Sequence, residues 1–179
     1  MNHHYTRTAK GLHWVVALLV LGLLGLGFYM HDLPLSPWKL QLYSWHKWAG
    51  VTVFLLVIVR LAWRFTHPPP ALPAGMPRLQ QWAAQSTHAL LYVLMLAIPL
   101  SGWLMSSAKG FQTLWFGVLP LPDLLAKDKA LGDLLVTLHT SLNLLLVALL
   151  VAHVGATLKH HFIDKDDVFL RMLPKFGQG

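Results

Sequence analysis

The chain has 179 residues, 55% of them hydrophobic and 12% charged, with a mean hydropathy of +0.53. That is too apolar for a water-soluble domain and long enough for one membrane bundle, residues 1–179 forming a single unit. The absence of cysteine excludes disulfides, thiolate zinc sites, iron–sulfur clusters and covalent haem attachment, and the formal charge of +7 lies at the ends of apolar runs rather than in a nucleic-acid patch.

Four apolar runs, at about 11–30, 45–65, 86–107 and 133–158, are each long enough to cross a bilayer core of about 30 Å. The first follows Arg7 and Lys10 and ends in GFYMHDLP, without a small-residue cleavage pattern. It reads as a retained helix rather than a signal peptide. HDLPLSPWKL before the second run reads as a turn or short linker. HPPPALPAGMP before the third is too rich in proline to be helical, and Pro99 inside the third run predicts a kink. PLPDLLAKDKALGD before the fourth has room for a short surface segment. The expected fold is an all-α, integral membrane four-helix bundle.

Basic residues orient the spans. Arg7, Lys10, Arg60, Arg64, Arg78, Lys159, Lys165, Arg171 and Lys175 collect on one side, and Lys39, Lys47, Lys109, Lys127 and Lys129 on the other. The excess predicts cytoplasmic N and C termini. Trp14, Trp45, Trp48, Trp63 and Trp103 fall near span ends, as an interfacial belt would have them.

The fourth run carries His139 and His153, fourteen positions apart. On an α-helix that spacing turns by about 1400°, leaving the side chains within roughly 40° of each other and about 21 Å apart along the axis. One face of one span thus shows an imidazole near each side of the membrane. Histidine in a span is costly and marks function by default. Sorted by depth, His46 and His139 form an outer level, and His153 with His13 or His88 an inner one. His3, His4, His31, His67, His160 and His161 fall in termini, loops or interfaces.

Two facing histidines per level suit a haem iron, which brings four nitrogens of its own. A structural zinc site needs four protein ligands, and no span carries a carboxylate near these histidines except Asp133 at its edge. A lone histidine on an apolar helix is more often a hydrogen-bonded packing residue; four at two matching depths point to haem. The residues alone leave His13 and His88 open as inner ligand, the other holding a propionate or quinone. Arg60 follows His46 by fourteen positions, placing a guanidinium at the inner level for a haem propionate, or for lipid headgroups if it snorkels. Gly50, beside the His46 turn, is positioned for close approach of a macrocycle.

These residues form a pattern. LHW at 12–14, WHKWAG at 45–50, Arg60, THAL at 87–90, LHTSL at 138–142, AHVGA at 152–156 and KHHF at 159–162 resemble the bacterial cytochrome b561 family across nearly the whole chain. The resemblance implies a four-helix protein of the bacterial inner membrane with two haems b. It implies that His13 and His153 bind the inner haem iron and His46 and His139 the outer one. The family is also similar to cytochrome b subunits of membrane hydrogenases and formate dehydrogenases, which pass electrons from a partner enzyme to quinone. The small, self-contained branch that this chain most resembles includes superoxide oxidase.

The expected function is therefore superoxide:ubiquinone oxidoreductase, with superoxide, ubiquinone or ubiquinol, and membrane lipid as partners and no nucleic acid. The alternatives are a relay subunit with a protein redox partner and a non-catalytic haem-binding module. Lys47, directly after His46, is the expected cation that steers superoxide to the outer face. His160 and His161, with Lys10 and Arg171 as neighbours, are the expected quinone contacts at the cytoplasmic ends of the first and fourth spans.

Overall fold

The computed structural model describes residues 5–73 and 75–173. His3, His4 and Lys175 lie outside the described residues. Four long helices dominate: α1 (Arg7–His31), α2 (Pro37–Thr66), α3 (Arg78–Ala108) and α4 (Lys129–Lys159). All four are long and apolar enough to cross a membrane. With 25 to 31 residues each, they run about 38–46 Å and so overreach a core of about 30 Å.

Three helices, α1, α2 and α4, start earlier than hydropathy predicts because polar caps, not apolar residues, begin them. Thr6 Oγ1 accepts from Ala9 N at 3.1 Å, Ser36 Oγ from Lys39 N at 3.2 Å and Asp128 Oδ1 from Leu131 N at 3.0 Å. Each satisfies a donor that the first turn leaves free. Pro37 at the first position of α2 has the φ a helix needs and no amide to waste. PWKL and KALGD, read above as connections, are therefore helical. α3 passes through Pro99 as one continuous helix.

The α3–α4 connection holds a departure from an all-α chain: β1 (Leu114–Trp115) pairs antiparallel with β2 (Leu119–Pro120). Phe116 and Gly117 take successive positive φ values of 50° and 74°, which makes the reversal. Trp115 Nε1 then donates to Trp48 O at 3.2 Å, tying the hairpin to α2. After α4 the chain widens into a π-helical turn (His160–Asp164) and closes with α5 (Val168–Met172).

The closest helix pairs are α1 with α2 and α3 with α4. Both ends of the described chain meet at one end of the bundle, the terminal end. There Trp63 Nε1 donates to Thr6 Oγ1 at 3.0 Å, Trp14 Nε1 to Met172 O at 3.0 Å and Lys10 Nζ to Leu173 O at 3.0 Å. The apolar core lies midway: Val16 and Val20, Val53 and Val57, Leu91, Leu94 and Ile98, and Leu146. The outer faces stay apolar and exposed, as at Leu18 and Val151. Such a surface is a liability in water and the ordinary covering of a protein in lipid.

Candidate haem sites

Two imidazole pairs lie above and below the valine–leucine core. At the far end, His46 on α2 faces His139 on α4, with ring centres 6.5 Å apart. At the terminal end, His13 on α1 faces His153 on α4 at 6.4 Å. Each pair joins the α1–α2 hairpin to α4. The fourteen-residue spacing works as expected, because α4 is unbroken between its two histidines.

The spacing has chemical meaning. Two imidazole–metal bonds of about 2.1 Å, each continued about 1.2 Å to the ring centre, place trans imidazoles roughly 6.5 Å apart. Both pairs match this. His88 approaches His153 more closely, at 5.3 Å, too near for a metal between them in that geometry. The terminal-end pair that fits is His13 with His153.

The far-end donors suit a haem. His139 Nδ1 lies 3.1 Å from Ile98 O and 2.9 Å from Ser101 Oγ. Donation of its N–H to the carbonyl fixes the tautomer that leaves Nε2 free to bind metal. Among the described residues, His46 Nδ1 is buried without a hydrogen-bond partner, a costly atom to leave empty. Small residues make room for both rings. A Cβ on Gly102 would stand 3.2 Å from His139 Cε1, and one on Gly27 would stand 3.5 Å from His46 Cε1. Gly50, expected to give that room, faces open space instead.

The terminal-end pair is held differently. Arg60 Nη1 donates to His13 Nδ1 at 2.9 Å, and Arg60 Nε donates to Tyr92 Oη at 2.9 Å. A His13 ring that accepts at Nδ1 carries its proton on Nε2. Metal binding through Nε2 would require the proton on Nδ1 and so a different partner for the guanidinium. Arg64 also lies over the Tyr92 ring, at 5.9 Å, and both arginines line a small cavity with Tyr5, Trp63 and His67.

The remaining predicted residues fall into two groups. Lys47 is half-buried at the far end, next to the His46 pair, and its Nζ donates to Phe111 O at 3.1 Å. His160 and His161 sit on the π-helical turn: His160 Nδ1 contacts Asp166 Oδ2 at 2.6 Å, while His161 packs on Phe162 and Phe169. Lys10 and Arg171 lie close by, Lys10 on Leu173 O and Arg171 on Asp167 and Ala71 O. Sequence reasoning passed over Ser101, Tyr92 and Asp166. A serine and a tyrosine inside an apolar span were the available signal for the first two.

A bundle of four membrane-length helices, with facing imidazoles and an apolar core between them, defines a membrane electron-transfer protein. A sequence model described as prokaryotic cytochrome b561 matches residues 4–175. Cytochrome b561 homolog 2 of Escherichia coli K12 is 38% identical over 173 residues, covering 96% of this chain and 92% of that protein. Cytochrome b561 homolog 1 of the same organism is 31% identical, covering 97% and 98%. A probable superoxide oxidase, CybB, of Yersinia pestis is 28% identical over 98% of each chain. The chain belongs to the prokaryotic cytochrome b561 family, and with that membership comes haem b binding in a bacterial membrane.

Proposed function

We propose that the protein is a superoxide:ubiquinone oxidoreductase of the bacterial inner membrane, with both termini in the cytoplasm. The observation that carries this reading is the pair of facing imidazoles at each end of the bundle, 6.5 Å and 6.4 Å apart. His46 and His139 hold one haem b and His13 and His153 a second. Haem held in this way supplies a one-electron carrier on either side of the membrane core. Superoxide as donor rests on the name of the Yersinia pestis relative.

The chain's own residues have definite parts in the reaction. His139, fixed by Ile98 O, keeps its ligating nitrogen deprotonated. Lys47 contributes positive charge beside the far-end pair, where an anion must arrive. Arg60, which holds His13 Nδ1 here, would pair with a haem propionate, a better partner for a guanidinium than a neutral ring. Valine and leucine side chains between the levels keep water and protons out of the path. Ubiquinone binds at the terminal end, near His160 and His161, with His88 as a further contact on the same side. In balance, two superoxide anions become two dioxygen molecules, and one ubiquinone takes two electrons and two protons to become ubiquinol.

The test is a superoxide pulse on the purified, oxidised protein, followed by haem b absorbance with and without ubiquinone. Fast reduction, then reoxidation that depends on quinone, is expected. Haems that ignore superoxide but accept electrons from a co-purifying dehydrogenase would make the protein a relay subunit instead.

A further inference from the structure

The π-helical turn after α4 holds chemistry that haem binding does not use. His160 follows His153 by seven positions, so it lies within about 20° of the same helix face and about 10.5 Å further along the axis. The stripe that carries the two α4 ligands thus continues to a third imidazole at the terminal end. Its side chain is 15% exposed. The chain then closes back on it. The wide turn places Asp164 Oδ2 at 3.3 Å from His160 Nδ1, and Lys165 turns left-handed at φ 54°. That reversal brings Asp166 around, so that its amide donates to His160 O at 3.1 Å and its Oδ2 meets His160 Nδ1 at 2.6 Å. Asp166 is itself fixed, because its Oδ1 accepts from Val168 N at 3.0 Å. A π-turn and a left-handed lysine are uncommon local structures, and such turns recur at functional sites.

We propose that His160 and Asp166 form a proton-delivering dyad at the terminal end, with His160 the donor to a bound quinone oxygen and Asp166 its positioning residue. This rests on the quinone-reducing reading above. Both carboxylates contact Nδ1, so Nε2 is the nitrogen turned over to the substrate. The protonated ring breaks its Nε2–H bond, an O–H bond forms on the reduced quinone, and water at the same face returns the proton. The second proton comes from that water as well. Asp166 stabilises the imidazolium between transfers and holds the ring in one orientation. His160, Asp164 and Asp166 also stand close enough to hold a cation. However, the Lys159 ammonium already occupies Asp164, at 2.6 and 2.8 Å. α5 packs beside the turn, with its Arg171 paired to Asp167.

The experiment separates the two half-reactions in the full-length holoprotein. Asp166→Asn is expected to leave haem content and superoxide-driven haem reduction within about twofold of wild type, and to slow ubiquinone-dependent reoxidation by tenfold to about a hundredfold. Asp166→Glu should restore most of that rate, and His160→Gln should be as slow as Asp166→Asn. Reoxidation of Asp166→Asn at the wild-type rate overturns the dyad. So does an Asp166→Glu protein as slow as Asp166→Asn, which would assign Asp166 a purely structural part. If ubiquinone fails to reoxidise the wild-type haems, the functional reading itself has failed and the dyad falls with it.

Discussion

The two imidazole pairs have nearly equal spacing and unequal surroundings. At the far end, His139 is held by a backbone carbonyl and Ser101, and glycines stand against both rings. At the terminal end, His13 is held by a mobile kind of partner, a guanidinium, and a third histidine stands close by. A carbonyl on a helix does not move, whereas an arginine side chain has several rotamers and other anions to choose from. The far-end His139 ring is therefore held by fixed partners. At the terminal end, two arginines and a tyrosine line one cavity with Trp63 and His67. The contrast fits a bundle in which one end has a fixed task and the other must admit and release a substrate.

Ligand removal would break the comparison most directly. His46→Ala and His139→Ala should each lose about half of the bound haem while the helices stay in place, measured as haem b per chain and by circular dichroism. His13→Ala should lose the complementary half. His88→Ala should keep the full complement, since 5.3 Å from His153 is too short for a shared metal. Full haem content in both His46→Ala and His139→Ala would refute the far-end site.

Much of this was readable in the residues, and the reasons are physical. Four spans and two histidine depths follow from helix periodicity and bilayer thickness, which act along a single helix. The choice between His13 and His88 depends on which neighbour faces His153, a matter of packing between helices that spacing cannot decide. The early starts of α2 and α4 escaped hydropathy because Ser36 and Asp128 act through hydrogen bonds to the first turn. The β1–β2 hairpin escaped because its strands are two residues each and its one cue was Gly117, while the positive φ at Phe116 has no sequence signal. Asp166 escaped because a left-handed lysine, rather than helix continuation, brings it to His160.

Changes at the terminal-end guanidinium sharpen the comparison. Arg60→Gln should retain both haems and lower the midpoint potential of the terminal-end one, since a nearby positive charge favours the ferrous state. One charge at about 10 Å with an effective dielectric near 20 contributes roughly 1.7 kcal/mol, or about 70 mV. Redox titration of the absorbance reads the shift, and the far-end potential should move much less. Equal shifts at both levels would mean that Arg60 acts on the fold as a whole. Ser101→Ala is the matching change at the far end. Ile98 O still holds His139 Nδ1 there, so the far-end potential should move by less than in Arg60→Gln.

The smallest effect is expected at Lys47, and salt dependence is what reveals it. Its ammonium donates to Phe111 O, a neutral partner, so the positive charge is tethered beside the far-end pair, with Asp123 near enough to offset part of it. Steering by such a charge raises the encounter rate with an anion and acts over a Debye length of about 10 Å at 0.1 M salt. Lys47→Gln should therefore slow superoxide-driven haem reduction by roughly twofold to fivefold at low ionic strength, with little difference left near 1 M salt, where the screening length is about 3 Å. Glutamine can still donate to the Phe111 carbonyl, so the loop stays anchored and only the charge is lost. A rate loss that persists at high salt would assign Lys47 to holding the α3–α4 loop, and steering would pass to the other cations of the far end.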